Sequence, residues 1–313
     1  MVDKQLDTAT LVEELLHERR RDRRFKYLRL IAISVLVMIG VTLNYQTRVA
    51  LTGSAMKEEY AAVVRLSGTI MPDSDAAARY INPALLAAFE DQKAKGVVLV
   101  INSPGGTPVQ SALIHDRIVA LRKEHPDKRF VVVAEDMLTS GAYFVSVAAD
   151  TIYANRSTVT GSVGVIMQSF GFDGLMDHLG VERRVITAGT HKSQMDPFLP
   201  LTEADIERAE NLLSHMHSHF IETVQAGRGE RLKGSPDELF SGDYWTGDEA
   251  LELGLIDGIS DLPTVLRSEL GVTKIKEYTP SKSLLSRISK SLTGALAGLL
   301  VERSAQAPAY LPR

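Results

Sequence analysis

Short, β-branched apolar runs, each followed by a helix-length segment, constrain this chain more than any other feature. Ala61-Ala-Val-Val-Arg-Leu66, Gly96-Val-Val-Leu-Val-Ile101 and Phe130-Val-Val-Val-Ala134 are too short to be buried helices. The last two carry no polar side chain, so they suit strands with both faces covered rather than one face in water. Residues 151–154, 163–169 and 181–187 read as further strands. Helices are expected between them: 82–95, with Asn82 as cap and Pro83 at the first position, then 111–123 and 140–149. A long helix is expected over 203–225, announced by Pro200 and Thr202 and stopped by Gly227 and Gly229. Residues 244–257 read as a turn, a helix and a closing turn. Strands alternating with helices imply an α/β domain with a parallel sheet.

That domain is expected over residues 60–272. Before it, the cluster Arg19-Arg-Arg-Asp-Arg-Arg24, with Lys26 and Arg29, precedes an apolar stretch ending near Gln46. Residues 27–46, with Arg29 snorkelling, reach roughly 28 Å as a helix, close to the thickness of a bilayer's hydrocarbon core. The expectation is a single-pass signal anchor in the cytoplasmic membrane. A basic tail (1–26) stays in the cytoplasm and everything after the span lies outside it. A buried core helix fits poorly with the flanking arginines. A cleaved signal peptide fits the small residues Ala50, Gly53, Ser54 and Ala55, but its leading segment would be long. Residues 47–59 read as a linker. Residues 273–313 form an extension in which Leu284, Leu285, Ile288 and Leu292 interleave with Ser, Lys and Arg, as in an amphipathic helix. A net charge of −4 over 313 residues argues against nucleic acid as a partner, and the absence of cysteine excludes disulfides and thiol chemistry.

Ser140 follows the apolar run 130–134 where a strand gives way to a helix, so its hydroxyl is expected at the carboxyl edge of the sheet. A serine hydroxyl needs a base to become a nucleophile. Lys192, in Gly189-Thr-His-Lys-Ser-Gln-Met-Asp-Pro-Phe198, can serve only when neutral. Lowering a lysine from its usual pKa of about 10.4 to near 7–8 takes about 4 kcal/mol of desolvation. Lys192 must therefore be buried, with Asp196 turned away. The Ser140 amide and an amide of Gly105-Gly106 are candidate oxyanion donors, since two glycines let backbone approach a carbonyl. Each motif alone has a bland reading: a helix cap, a turn, a solvated lysine. Their combination in one α/β unit points to peptide hydrolysis. A triad through His191 or His115 stays open in principle. His215, His217 and His219 alternate on the long helix and make a poor metal site. No cofactor or metal is expected.

These motifs resemble the bacterial signal peptide peptidases of the SppA type. They are Asn102-Ser-Pro-Gly-Gly106, Thr139-Ser-Gly-Ala-Tyr143, Thr160-Gly-Ser-Val-Gly-Val165, Lys192 followed by Asp196-Pro-Phe198, and Trp245-Thr-Gly-Asp-Glu-Ala-Leu-Glu-Leu-Gly-Leu-Ile-Asp257. The resemblance runs from about Tyr60 to Leu270. It implies a ClpP/crotonase-like core of repeated β-β-α units behind the transmembrane helix. It implies Ser140 as nucleophile, Lys192 as general base and Ser162 as the residue orienting the lysine. The oxyanion donors would come from Gly105, Gly106, Ser140 and Gly141. It further implies a homo-oligomeric ring, an octamer among the candidates, that degrades cleaved signal peptides and other apolar peptides. Two other classes stay open: an inactive membrane scaffold of the same fold, and a crotonase-like acyl-CoA enzyme. One departure is Leu138-Thr-Ser-Gly141, where the family often has Ala-Ser-Gly.

Overall fold

The computed structural model describes residues 27–35, 37–42 and 59–279. The chain divides into two units at Glu58/Glu59. In the first, residues 27–35 and 37–42 are helical and exposed. Among the described residues no helix is long and apolar enough to cross a membrane. The expected anchor runs on into residues outside the described set. The basic tail lies wholly outside it, as do nearly all of the linker and the extension from residue 280.

The second unit is built on an eight-stranded sheet. Three long strands form its centre: β1 (Tyr60–Ser67), β2 (Ala94–Ser103) and β3 (Arg129–Thr139), paired in parallel in the order β3-β2-β1. The crossovers are α1 (Ala78–Glu90) and α2 (Pro108–Glu124), and α3 (Gly141–Ser146) follows β3. The apolar runs read from sequence lie at the heart of these strands: Val63, Val98, Leu99, Val131 and Val132 have no solvent exposure. Two short strands, β4 (Thr151–Ala154) and β5 (Val159–Gly161), both pair with β3. β4 takes Val131–Val133, and β5 takes Met137–Thr139 further along. Single strands alternate with helices from β1 to α3, and β4 and β5 then follow one another with no helix between them.

Beyond β5 come α4 (Asp173–Leu179), α5 (Glu203–Arg228) and α6 (Pro236–Leu239). Then come β6 (Tyr244–Thr246), α7 (Gly247–Glu252), β7 (Gly258–Ile259), α8 (Leu262–Leu270) and β8 (Lys274–Glu277). β6 is antiparallel to β5, β7 pairs with β4, and β8 is a parallel edge on β1. β8 lies inside the segment set apart as an extension: residues 274–277 belong to the sheet. The long helix starts as expected, with Thr202 and Asp205 forming a reciprocal capping box. The first helix does not. It begins at Ala78, not at Asn82, and carries Pro83 within it. Asn82 spends its side chain on Leu113 O (3.0 Å) instead of capping.

The clearest departure is the arm from 164 to 201. No strand forms over 163–169 or 181–187. Ile166, Phe170, Leu179, Val181 and Ile186 are exposed, Ile186 completely. In the single chain these exposed residues have neither a strand nor a core to join.

Candidate active site

Ser140 stands at the end of β3, where Thr139 pairs with Gly161 of β5. Its backbone has φ 52° and ψ −124°, in the half of the map that side chains avoid. Holding a serine there stores about 1–3 kcal/mol. The reason is a sharp strand-to-helix turn: Ser140 N donates to Gly161 O (2.8 Å), while Phe144 N donates to Ser140 O (2.9 Å) and starts α3. Ser140 itself is half-buried, but every residue of α3 behind it is buried. α3 is tied down by the Tyr143 hydroxyl, which donates to Leu255 O (2.8 Å). Burial pushes that phenol's pKa well above its usual range. Arg228, 2% exposed, holds the same region by donating to Gly254 O and to both oxygens of Asp257.

The Gly105-Gly106 turn lies against this elbow. Gly105 has φ 92°, and a Cβ there would stand 2.6 Å from Gly141 N and 2.8 Å from Ser140 Cβ. A Cβ on Gly106 would stand 2.0 Å from Ile70 O. Both glycines are therefore required by close approach of backbone to backbone. Two of the amides expected as oxyanion donors have acceptors within the chain. The Ser140 amide is engaged by Gly161 O, and the Gly105 amide donates to Ser103 Oγ (3.1 Å). Gly106 and Gly141 approach one another closely. A Cβ on Gly141 would stand 3.2 Å from Gly106 N. Ser103 had no distinct signal in the sequence beyond its place before Pro104.

Ser162 is also held at positive φ, 53°, with its amide donating to Asp243 O (2.6 Å). Gly161 before it packs on Trp245, whose ring a Cβ would meet at 2.5 Å. Asp243 and Trp245 thus shape the serine strand from a distant stretch of sequence, which local reading could not reveal. β3 and β5 bring Ser140 next to Gly161-Ser162. Lys192 is different. It sits in the arm and is exposed, so the expected burial is not met in the single chain. Asp196 is turned to Arg183 (3.0 Å), and its carboxyl is held below the usual range by the Phe198 amide and then by Arg183. Met195, three residues after the lysine, has φ 59°. Among the described residues no histidine hydrogen-bonds Ser140. His191 Nδ1 meets Arg208, His217 Nε2 meets Val163 O, and His115 and His219 pack on the Phe144 ring.

The family model of peptidase family S49 matches residues 122–271, a span that holds Ser140, Ser162 and Lys192. The chain carries a domain of peptidase family S49. The chain is also similar to several curated proteins. The Na(+)/H(+) antiporter NhaA of Brucella abortus is 46% identical over 231 residues, covering 72% of this chain and 31% of that protein. Protease 4 of Haemophilus influenzae is 31% identical over 202 residues, covering 63% of this chain and 32% of that protein. The chloroplastic serine protease SPPA of Arabidopsis thaliana is 27% identical over 250 residues, covering 76% and 36%. The chain spans about a third of the length of these relatives. The SppA-type resemblance carried by the motifs thus stands with the S49 domain.

Proposed function

We propose that this protein is a membrane-anchored serine endopeptidase that cleaves apolar peptides, signal-peptide remnants among them, with a Ser140/Lys192 dyad. The fold fits a ClpP/crotonase-like core, in which a central parallel strand delivers the nucleophile. One observation carries the reading. Only three non-glycine residues of the described chain have positive φ: Ser140, Ser162 and Met195. Two are the expected nucleophile and the serine expected to orient the base. The third lies in the loop of the expected base. Backbone strain collects where a site must hold groups against their own preference.

Neutral Lys192 takes the proton from Ser140 Oγ as that oxygen bonds to the substrate carbonyl carbon. The amides of Gly106 and Gly141 hold the resulting oxyanion. Collapse breaks the C–N bond, and Lys192 returns the proton to the leaving amine. Water, with its proton taken by Lys192, then attacks the acyl carbon, the bond from that carbon to Ser140 Oγ breaks, and Lys192 returns the proton to Oγ. Desolvation is what lets a lysine act as a base, and Lys192 is exposed in the single chain. The apolar arm supplies the remedy. In a homo-oligomeric ring, arms of neighbouring copies cover each other's exposed side chains and remove water from Lys192. The 27–46 anchor holds the ring at the cytoplasmic membrane with the catalytic domains outside.

The test is labelling of the full chain in detergent by a fluorophosphonate, with cleavage of an apolar peptide measured in parallel. Both are expected in the wild type and absent in Ser140→Ala. Cleavage by Ser140→Ala at the wild-type rate overturns the proposal. Absence of both labelling and cleavage at every protein concentration would favour the scaffold reading.

A further inference from the structure

A second feature stands apart from the serine elbow and does not depend on the peptidase reading. A cavity of about 330 Å³ opens at the carboxyl ends of β2 and β3, on the sheet face covered by α8. Its floor is apolar, formed by Val100, Val133 and Leu262, and its rim is acidic, formed by Glu135, Asp136 and Asp261. Asp136 accepts from Asn102 Nδ2 (2.8 Å), and Asp261 caps α8 through Thr264 N (2.9 Å). Neither forms an ion pair within 4.0 Å among the described residues.

The chain itself leads to this rim. Arg65 grips Glu135 and Glu277, the last residue of β8, each at 3.2 Å. Thr279 Oγ1 accepts from Arg65 N at 2.6 Å. The described fold therefore ends one arginine side chain from the cavity, and that single guanidinium is shared between two carboxylates. Beyond Thr279 the chain runs on through Ser281-Lys-Ser-Leu-Leu-Ser-Arg-Ile-Ser-Lys290. This segment holds three cations and three large aliphatic side chains, and no acidic residue occurs from 280 to 301. Three extended residues span about 10 Å, enough to cross the two strand spacings between β1 and β3. Sign of charge, apolar floor and reach all match.

We propose that residues 281–290 dock in this cavity, with Leu284, Leu285 and Ile288 on its floor and Lys282, Arg287 and Lys290 against its acidic rim. The docked tail would extend the acidic edge of the sheet with a basic cover and fix where the extension leaves the domain.

The chain's lack of cysteine makes a clean test possible. Ser157 lines the cavity, is exposed, and spends only its backbone amide on Asn155 Oδ1. In the full chain, Ser157→Cys with Ser286→Cys is oxidised mildly and read on a non-reducing gel and by mass spectrometry. The control pair is Lys93→Cys with Ser286→Cys, Lys93 being at the amino end of β2. Docking predicts at least a tenfold higher intramolecular disulfide yield for the first pair. Adding Lys282→Glu, Arg287→Glu and Lys290→Glu, all outside the described fold, should remove that excess. Equal yields for the two pairs overturn the proposal. So do an excess that survives charge reversal, and disulfides that form only between two copies.

Discussion

The core that carries Ser140 and the arm that carries Lys192 are built on opposite terms. Around Ser140 the backbone is overdetermined: β3 is buried, α3 is buried, and two glycines admit no Cβ. Along the arm apolar residues are also present, but Ile186 and Phe170 face solvent and Gly174 has open space around it. Apolar side chains in the core settle the fold, and in the arm they await something to settle against. The proposed nucleophile is thus prepared by the chain alone, and the proposed base is not.

The strongest way to break this contrast is a methyl group at Gly106. Its Cβ would lie 2.0 Å from Ile70 O, so the β-bridge between Ile70 and Gly106 must open. Gly106→Ala is expected to lose peptide cleavage by at least about 10²-fold, the scale of losing one oxyanion donor. Its circular dichroism should stay close to wild type, since the bridge lies at the end of the sheet. Cleavage within twofold of wild type would remove the glycine turn from the site.

Next is the ion pair behind the elbow. Arg228→Met takes from the part-buried Asp257 its one buried cation and leaves it Arg231 and the Ile152 amide, so a loss below the roughly 3–5 kcal/mol of a fully broken buried pair should appear in urea unfolding. The pH dependence has a fixed sign. Burial pushes the Asp257 carboxyl up, but Arg228, the Ile152 amide and Arg231 outweigh it and hold the folded pKa below its ordinary value. A lowered folded pKa stabilises the fold above the unfolded value of about 3.9 and is lost as pH falls through the lower folded value. Wild type should therefore lose stability below about pH 4, and Arg228→Met should lose that part of the slope. An unchanged acid limb would show that the pair is not what anchors α3.

The parts legible in sequence and the parts hidden from it divide along the same line. β1, β2 and β3 were visible because buried parallel strands need uninterrupted apolar residues, and Val97–Ile101 supplies them. Ser140, Gly105 and Gly106 were visible because strained turns demand particular residues. β6 and β8 were hidden, because Tyr244–Thr246 and Lys274–Glu277 are edge strands with little burial to mark them. The partners of the Gly105 and Ser140 amides were hidden too, since they are Ser103 Oγ and Gly161 O, acceptors that local sequence does not announce. Residues 163–169 and 181–187 were misread as strands because periodicity records what a segment can bury, not whether the single chain offers a partner.

A milder probe sharpens the arm's side of the contrast. Ile186 is fully exposed, so Ile186→Ser removes no contact within the chain. Its unfolding midpoint in dilute solution is expected to move by less than about 0.5 kcal/mol, the usual scale for surface changes. Sedimentation should show weaker self-association, and cleavage should fall with it and recover at higher protein concentration. Normal assembly with normal cleavage would mean that the arm is covered by something other than another copy.

The smallest effect expected comes from Gly174, inside α4, where nothing lies within 4 Å of an added Cβ. Alanine there should stabilise the helix by up to about 1 kcal/mol, because glycine loses more backbone freedom on folding. The same one-methyl change that is expected to disable Gly106 should therefore be neutral to favourable here when monitored by thermal unfolding. If Gly174→Ala is instead destabilising, the space around α4 is filled in the working protein. In that case the arm's openness would belong to the isolated chain alone, and the same cover would account for both Gly174 and Lys192.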